Sequence, residues 1–442
     1  MTVHSIDRTS GTTKLERLSK RAETDKSTVF NNLRHMVDET LLREMYQKLD
    51  GKKAIGMDGM SKERYGKRLA ENLASLIRRI RNGTYRPKPS RIIEIPKGDG
   101  GKRPLAIACF EYKLVQAAVS DILTRIYEPL FLPCSYGFRP GRNCHDALRA
   151  LMKETKPFWS GAIVEIDICK YFTSIPHKEL SAMLRKKISD ESFLRLIGKL
   201  TSAPVQMGNA TTMTTQGCPQ GSILSPILAN IYLHEVIDTW FDEIKNNHFK
   251  DGMAEIRYVD DMVFAFQNHN EAKRFYEVLP KRLRKYGLDI QEEKSRLIRS
   301  GQNIARREHR AGKRVPTYNF LGFTVYWRKA RNGQWWRMTY TSRPDRMVEK
   351  LKGLRKYLKT QLSAKNTKEV LQKVIAVVRG WVNYHNISDN EKKVHKFIHI
   401  CRRHIRTWMN RRGGRKPMSW EKFNRLMDRI NFPENPKTIS MF

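Results

Sequence analysis

Two adjacent carboxylates, Asp260 and Asp261, lie between two short apolar runs in the segment "IRYVDDMVFAF" (256–266). The runs on either side predict two β-strands with the acidic pair at the hairpin tip. Like charges in contact disfavour ionisation, so the pair costs free energy unless a cation shares it. Solvated turn chemistry is the simpler explanation of an isolated Asp pair. A bound divalent cation is the explanation that would make the pair a functional site.

Asp167 is the best partner for this pair, because it ends the apolar run "AIVEID" (162–167) where a buried strand would emerge. An Asp at a strand end is otherwise usually a cap. Mg²⁺ binds few protein carboxylates and completes its coordination with water and substrate phosphates. Three aspartates from two strands would hold two ions, one lowering the pKa of an attacking hydroxyl and the other stabilising a leaving pyrophosphate. That chemistry is nucleotidyl transfer.

The length of the chain, 442 residues, predicts several packed units, because a chain of this size is too long for a single small core. Charged helical patterns fill 13–82. Two alternating runs within 92–107 flank a Gly-rich tip and predict a hairpin, with Lys97 and Arg103 on its two arms. The middle of the chain is mixed α and β. Three amphipathic helical stripes after about residue 345 predict a small all-α bundle.

The charge balance is strongly basic, with 84 Lys and Arg against 45 Asp and Glu and a net charge of +39. Such a surplus repels itself unless an extended anion neutralises it, which favours nucleic acid as the partner. Residues 343–442 alone carry 25 basic and eight acidic side chains. An anionic membrane surface is the competing interpretation. Against it, the basic residues are spread along the chain and no apolar run approaches the ~20 residues that span a bilayer.

The six cysteines are widely spaced and form no C-x-x-C pair, so the spacing predicts neither a zinc module nor a disulfide framework. No apolar stretch follows the first residues. We therefore expect a cytoplasmic protein in a reducing compartment, with no membrane partner.

The order of the motifs resembles that of bacterial reverse transcriptases of the group II intron, or maturase, type over nearly the whole chain. The similar segments are "YRPKPSRIIEIPKGDGGKRPLAI" (85–107), "SYGFRPGRNCHDAL" (135–148), "DICKYF" (167–172), "QGCPQGSILSPILANIYL" (216–233), "YVDD" (258–261), "GLDIQEEKSRLI" (287–298), "FLGF" (320–323) and "RGWVNYHN" (379–386). The resemblance implies an α+β right-hand polymerase. Its parts would be a helical N-terminal extension (1–84), fingers and palm with an antiparallel sheet plus helices (85–345), and an all-α three-helix thumb with a basic C-terminal segment (346–442).

The same resemblance implies an RNA-directed DNA polymerase that adds dNTPs to a DNA or RNA primer on an RNA template. Two Mg²⁺ ions, with Mn²⁺ as an alternative, would be held by the catalytic residues Asp167, Asp260 and Asp261. The residues implied in dNTP binding are Lys97, Arg103, Phe172, Gln220 and Gly221, with Phe172 blocking a ribose 2′-hydroxyl. The residues implied in template or primer binding are Arg139, Arg142, Tyr258, Val259, Lys294 and Gly322.

Three positions depart from the family pattern: Val259 replaces an Ala, Thr173 an Asp and Ser222 a Gly. A β-branched side chain at Val259 is stiff and would crowd the primer end. The paired cysteines of the endonuclease domain of many mobile members are also missing. Three roles therefore stay open: an intron-bound maturase, a free-standing enzyme in host DNA repair or phage defence, and an RNA-binding splicing factor with secondary polymerisation. A homodimer is one open oligomeric state.

Overall fold

A computed structural model describes residues 9–96, 101–208, 210–330, 333–412 and 417–442. Its central antiparallel sheet consists of β3 (Gly161–Ile166), β6 (Met253–Tyr258), β7 (Asp261–Phe266) and β8 (Arg296–Ser300). Their order in space is β6-β7-β3-β8. The predicted hairpin around the Asp pair and the predicted strand before Asp167 are therefore neighbours in one sheet.

Side chains of this sheet alternate between two cores. On β7, Met262, Phe264 and Phe266 pack into the core that the N-terminal and central helices complete. Val263 and Ala265 face the opposite side and join a second core. A strand that is covered on both faces reads as a continuous apolar run, which explains the sequence of β7.

A second sheet has four strands in the order β2-β1-β4-β5. They are β1 (Ser90–Pro96), β2 (Lys102–Ile107), β4 (Val205–Met207) and β5 (Ala210–Thr212). The predicted hairpin is present, because β1 and β2 pair antiparallel with Ile95 opposite Arg103. Lys97 and its neighbours through residue 100 lie outside the described residues.

A third sheet, with the order β11-β10-β9, covers the second face of the central sheet. Its strands are β9 (Thr317–Phe320), β10 (Phe323–Lys329) and β11 (Trp336–Ser342). Buried aromatic side chains such as Tyr318, Phe323 and Tyr340 fill the space between the two sheets.

Helices surround the sheets. The N-terminal ones are α1 (Thr9–Thr24), α2 (Glu39–Lys48), α3 (Lys62–Gly66) and α4 (Leu69–Arg81). The central ones are α5 (Phe110–Tyr127), α6 (Cys144–Thr155), α7 (Tyr171–Ser174), α8 (His177–Arg185), α9 (Glu191–Thr201), α10 (Ser225–Leu233), α11 (Thr239–His248), α12 (His269–Lys285) and α13 (Gln302–Arg310). A π-helical turn, His234–Asp238, joins α10 to α11.

The C-terminal region is all-α, with the three predicted helices α14 (Pro344–Gln361), α15 (Thr367–His385) and α16 (Glu391–Arg412). A fourth helix, α17 (Trp420–Arg429), lies in the basic C-terminal segment and was not among the predicted elements. Phe423 and Met427 of α17 are buried in the same core as the other three helices. Within the described ranges, no helix combines the length and the apolar character that crossing a membrane requires.

Candidate active site

The three predicted aspartates line one open cavity of about 1190 Å³ between the central sheet and α14. Asp167 directly follows β3, Asp260 lies at the tip between β6 and β7, and Asp261 begins β7. Antiparallel pairing sets Ile166 opposite Met262, so one further step along each strand brings Asp167 and Asp261 together. Strand register thus joins side chains that are more than 90 positions apart in the sequence.

The cavity is electrostatically unfavourable for bare carboxylates. Burial raises the pKa of Asp260, and the charge of Asp167 raises it further. Burial also raises the pKa of Asp261 to about 7, and the charges of Asp260 and Glu165 act in the same direction. A carboxylate site with raised pKa values is one that a bound cation stabilises.

Neighbouring groups already engage two of the three carboxylates. The Leu321 N–H donates to Asp261 Oδ2 at 3.2 Å. The ammonium of Lys294 lies 3.6 Å from Asp167 Oδ2. The Asp167 N–H donates to Ser295 Oγ at 3.2 Å, which fixes the backbone where β3 ends. The predicted Lys294 is therefore beside the acidic cluster.

A Mg²⁺ ion fits the chemistry of this donor set, since carboxylate oxygens in a cavity open to water are the ligands it prefers. The oxygens of the three carboxylates do not all lie within 4.8 Å of one another. In the part of the chain that the structure describes, the one group of three potential ligands within 4.8 Å of one another is Cys134, Asp238 and Glu255. Asp167 and Asp261 are turned toward Lys294 and the Leu321 amide, respectively.

The turn that carries Asp260 is backbone-strained. Val259 has φ +62°, a conformation that is costly for a β-branched residue. Its side chain is buried against Gly137, where a Cβ would come within 2.4 Å of Val259 Cγ2 and 2.7 Å of Val259 N. Gly137 is thus required for the close approach of the two segments.

A buried ion pair between Arg257 and Asp238 supports this turn. The Arg257 guanidinium donates from Nε to Asp238 Oδ1 at 2.7 Å and from Nη2 to Asp238 Oδ2 at 2.6 Å. Its Nη1 donates to Asn230 Oδ1 at 3.0 Å and to the Val259 carbonyl at 3.3 Å. Asn230 in turn donates to the Gly137 carbonyl at 2.7 Å. One network therefore connects the hairpin, α10, the π-helical turn and the loop before α6.

Arg103 of β2 lines the same cavity as the aspartates. Its Nε donates to Gln220 Oε1 at 2.7 Å, so two side chains predicted to bind dNTP contact each other. The Ala106 N–H donates to the Gln220 carbonyl at 2.7 Å. A Cβ on Gly221, which has φ +98°, would come within 2.7 Å of the Ala106 carbonyl. Glycine is needed there for the loop to pack on β2.

Phe172 lies in the short helix α7, directly after the strand that delivers Asp167. Its ring packs near Tyr171, with 5.6 Å between centroids, and the Cys218 N–H donates to the Phe172 carbonyl at 2.6 Å. The side chain is half-buried and does not line the aspartate cavity. Its backbone position is fixed by the loop that carries Gln220.

The structure corrects the prediction for Arg139. Its side chain is buried and forms an ion pair with Glu128, with 2.8 Å between Nη2 and Oε1. Its Nη1 donates to the carbonyls of Leu132 and Ser135. These contacts use the guanidinium donors inside the protein, so Arg139 has a structural role rather than a phosphate contact.

The other predicted template and primer residues lie near the hairpin. Arg142 is half-buried, donates to the Pro133 carbonyl at 2.7 Å and stacks over Tyr136. Tyr258 pairs with Asp261 across the turn. Gly322 has φ +76° in the tight turn between β9 and β10, next to Leu321, and lines the aspartate cavity.

Several residues that support or line the site were not predicted from the sequence, because they lie outside the recognised motifs. Arg257 is a fully buried cation in β6, and the available signal was the presence of two charged residues, Glu255 and Arg257, in an otherwise apolar strand. No sequence signal marks Asp238, since it reaches Arg257 only through the π-helical turn. Basic side chains of α14, such as Arg346 and Lys352, line the far wall of the cavity.

Comparison with known proteins agrees with this geometry. The family model "Reverse transcriptase (RNA-dependent DNA polymerase)" matches residues 95–325, more than half of the chain, and "Group II intron, maturase-specific domain" matches residues 345–426. The "Group II intron-encoded protein LtrA" of Lactococcus lactis subsp. cremoris is 35% identical over 291 residues, which are 64% of this chain and 47% of that protein. "Protein YkfC" of Escherichia coli (strain K12) is 34% identical over 205 residues, 45% of this chain and 52% of that protein.

A third relative is the "Uncharacterized 91 kDa protein in cob intron" of Schizosaccharomyces pombe, 38% identical over 240 residues, 53% of this chain and 29% of that protein. The matched regions thus span about half or less of these curated relatives. Since the reverse transcriptase model covers all three aspartates and the maturase model reaches from α14 into α17, the chain belongs to the reverse transcriptase family, of the group II intron type.

Proposed function

We propose that this protein is an RNA-directed DNA polymerase that adds dNTPs to a primer annealed to an RNA template. The observation that supports it is that Asp167, Asp260, Asp261 and Arg103 line one open cavity. Two bound Mg²⁺ ions, or Mn²⁺ in their place, would lower the pKa of the primer hydroxyl and stabilise the leaving pyrophosphate. The aspartates would hold those ions.

The remaining residues would bind and orient the substrates. Arg103, fixed by Gln220, would neutralise the triphosphate, and Lys97 would do the same. Phe172 would exclude a ribose 2′-hydroxyl, with Gly221 beside the incoming nucleotide. Tyr258, Val259, Lys294 and Gly322 would position the primer end, and Arg142 the template. The domains would be an N-terminal extension (1–84), fingers and palm (85–345) and a thumb (346–442).

The test is primer extension on an RNA template with dNTPs and Mg²⁺. Asp260→Asn keeps the size of the side chain but removes its charge, and we expect extension to be lost. Asp251→Asn is the matched control, because Asp251 is exposed near the opposite end of the same hairpin. Full extension by Asp260→Asn would refute the proposed role of the carboxylate.

A second candidate function is that of an intron-bound maturase, which grips a structured RNA and assists splicing. The match of residues 345–426 to the maturase-specific model favours it, as do the 25 basic residues between 343 and 442. Structured RNA is bound through phosphates and shape, so the complex should weaken steeply with salt. Equal affinity for an intron RNA and for a generic primer-template duplex would count against this role.

The polymerase would also suit a free-standing enzyme of host DNA repair or phage defence. Val259, which departs from the family pattern, favours this setting. Whether the gene lies inside a folded intron RNA separates the two settings.

A further inference from the structure

Three ligand-type side chains that the polymerase proposal does not use meet behind the catalytic hairpin. The ligand atoms of Cys134, Asp238 and Glu255 all lie within 4.8 Å of one another. Cys134 is in the loop after α5, Asp238 ends the π-helical turn and Glu255 is on β6. Because three distant segments supply them, the spacing of the cysteines in the sequence gave no sign of this cluster.

Glu255 is the independent sign that the cluster has a ligand. The residue is 6% exposed, and neither carboxylate oxygen accepts a hydrogen bond from an N–H or O–H group among the described residues. Buried polar groups are nearly always paired, because an unpaired one costs about 1–3 kcal/mol. A cation bound between Glu255 and Cys134 would satisfy these oxygens.

We propose that Cys134, Asp238 and Glu255 form a second metal site, for a borderline divalent cation such as Zn²⁺ rather than Mg²⁺. A thiolate beside carboxylates selects such an ion, whereas Mg²⁺ prefers oxygen ligands alone. Ligands of a tetrahedral Zn²⁺ lie roughly 3.3–3.8 Å apart, so small side-chain rotations close the set. A cavity of about 250 Å³, lined by all three residues, provides an entry path and space for a water as fourth ligand.

The charges of the site balance with the ion bound. Asp238 is paired with Arg257, and each of its oxygens keeps a second lone pair after accepting from the guanidinium. Burial raises the pKa of both Glu255 and Cys134, so a bound cation would stabilise their anionic forms. One dication would neutralise the charges of the Glu255 carboxylate and the Cys134 thiolate.

The ion would link the loop after α5, the π-helical turn and β6, which together support the hairpin tip. The Arg257 N–H donates to the Cys134 carbonyl at 2.9 Å, and the Tyr136 N–H donates to the Arg257 carbonyl at 2.8 Å. Metal binding would therefore stiffen the same network that carries Val259. The site itself does not depend on the proposed polymerase activity, because binding is measured without nucleic acid.

The experiment is a Co²⁺ titration of the full, chelator-stripped chain at about pH 8 under reducing conditions, where metal binding has to displace protons. Excess Mg²⁺ is present to occupy the aspartate cavity. We expect one equivalent of Co²⁺ to give a thiolate charge-transfer absorption in the near ultraviolet, and Zn²⁺ to displace it. Cys134→Ala should abolish the band, Glu255→Gln should weaken binding at least tenfold, and Cys144→Ala, a half-buried cysteine outside the cluster, should keep it.

A second measurement needs no variant. Bound Zn²⁺ should protect Cys134 from alkylation in the unaltered chain, read residue by residue by mass spectrometry, while Cys144 is alkylated equally with and without the metal. No saturable thiolate band in the unaltered chain, or a band that survives Cys134→Ala, would overturn the proposal. Alkylation of Cys134 that is independent of Zn²⁺ would do the same.

Discussion

Removing the guanidinium of Arg257 should destabilise this protein far more than removing an arginine from its surface. Arg257 and Asp238 are both fully buried, and two hydrogen bonds of 2.7 and 2.6 Å join them. Arg257→Met leaves the buried Asp238 carboxylate without its guanidinium partner. Breaking a buried pair in this way costs about 3–5 kcal/mol, so we expect the free energy of unfolding to fall by that amount.

The double variant Arg257→Met/Asp238→Leu separates the charge effect from loss of packing. With both charges gone, the remaining losses are the hydrogen bonds to Asn230 and to the Val259 carbonyl. We expect a cost of about 1–3 kcal/mol for these unpaired acceptors, clearly below that of the single variant. The hairpin tip should also lose its support, so polymerisation should fall even where the protein folds.

The assay is urea unfolding, followed by circular dichroism, of the unaltered chain, both single variants and the double variant, with a chelator present so that no bound metal contributes. Arg43→Met is the matched control, since its ion pair with Glu39 is exposed, and its unfolding midpoint should stay close to that of the unaltered chain. The reasoning is refuted if Arg257→Met shifts the midpoint no more than Arg43→Met does. It is also refuted if the double variant loses the sum of the two single effects.

Three further predictions concern other residues. Phe172→Ala should lower the preference for dNTP over rNTP by at least about tenfold in single-nucleotide extension. An unchanged preference would show that Phe172 does not exclude the ribose 2′-hydroxyl. Gly137→Ala should lower kcat about 100-fold, because its Cβ would meet Val259 at 2.4 Å and displace the tip; Gly198→Ala, which meets no atom within 4 Å, should have no effect. Burial lowers the pKa of His385 to about 4, so the native state resists a proton that the unfolded chain takes up below about pH 6.5. Unfolding free energy should therefore fall by up to about 3 kcal/mol between pH 6.5 and 4, and His385→Gln should remove that loss in denaturation experiments at a series of pH values.

Much of the site could be predicted because its chemistry is local in sequence. The Asp260–Asp261 tip follows from the apolar runs around it, and the strand before Asp167 from the run "AIVEID". The hairpin that carries Arg103 and the three C-terminal helices also follow from periodicity. Helix α17 is also amphipathic, but its short pattern follows a strongly basic stretch, which favours a solvated tail in the sequence.

Contacts between distant segments could not be predicted in this way. The motif that contains Arg139 indicates nucleic-acid binding, yet the fold turns this side chain inward onto Glu128. Gln220 was predicted to lie beside the nucleotide, but its hydrogen bond to Arg103 depends on how the loop packs on β2. Arg257 finds Asp238 only because a π-helical turn alters the helix register by one residue.

The sequence by itself determined the strands beside the aspartates, the hairpin that carries Arg103 and three of the C-terminal helices, and it showed that the chain carries a large positive charge. These properties depend on neighbours within a few residues, where periodicity and composition are sufficient. The tertiary structure alone decided which charges are buried together: the aspartates around one cavity, Arg257 on Asp238, and Glu255 beside Cys134. Burial and pairing arise from packing between segments far apart in the chain, and a charge has a different energy in water and in the protein interior.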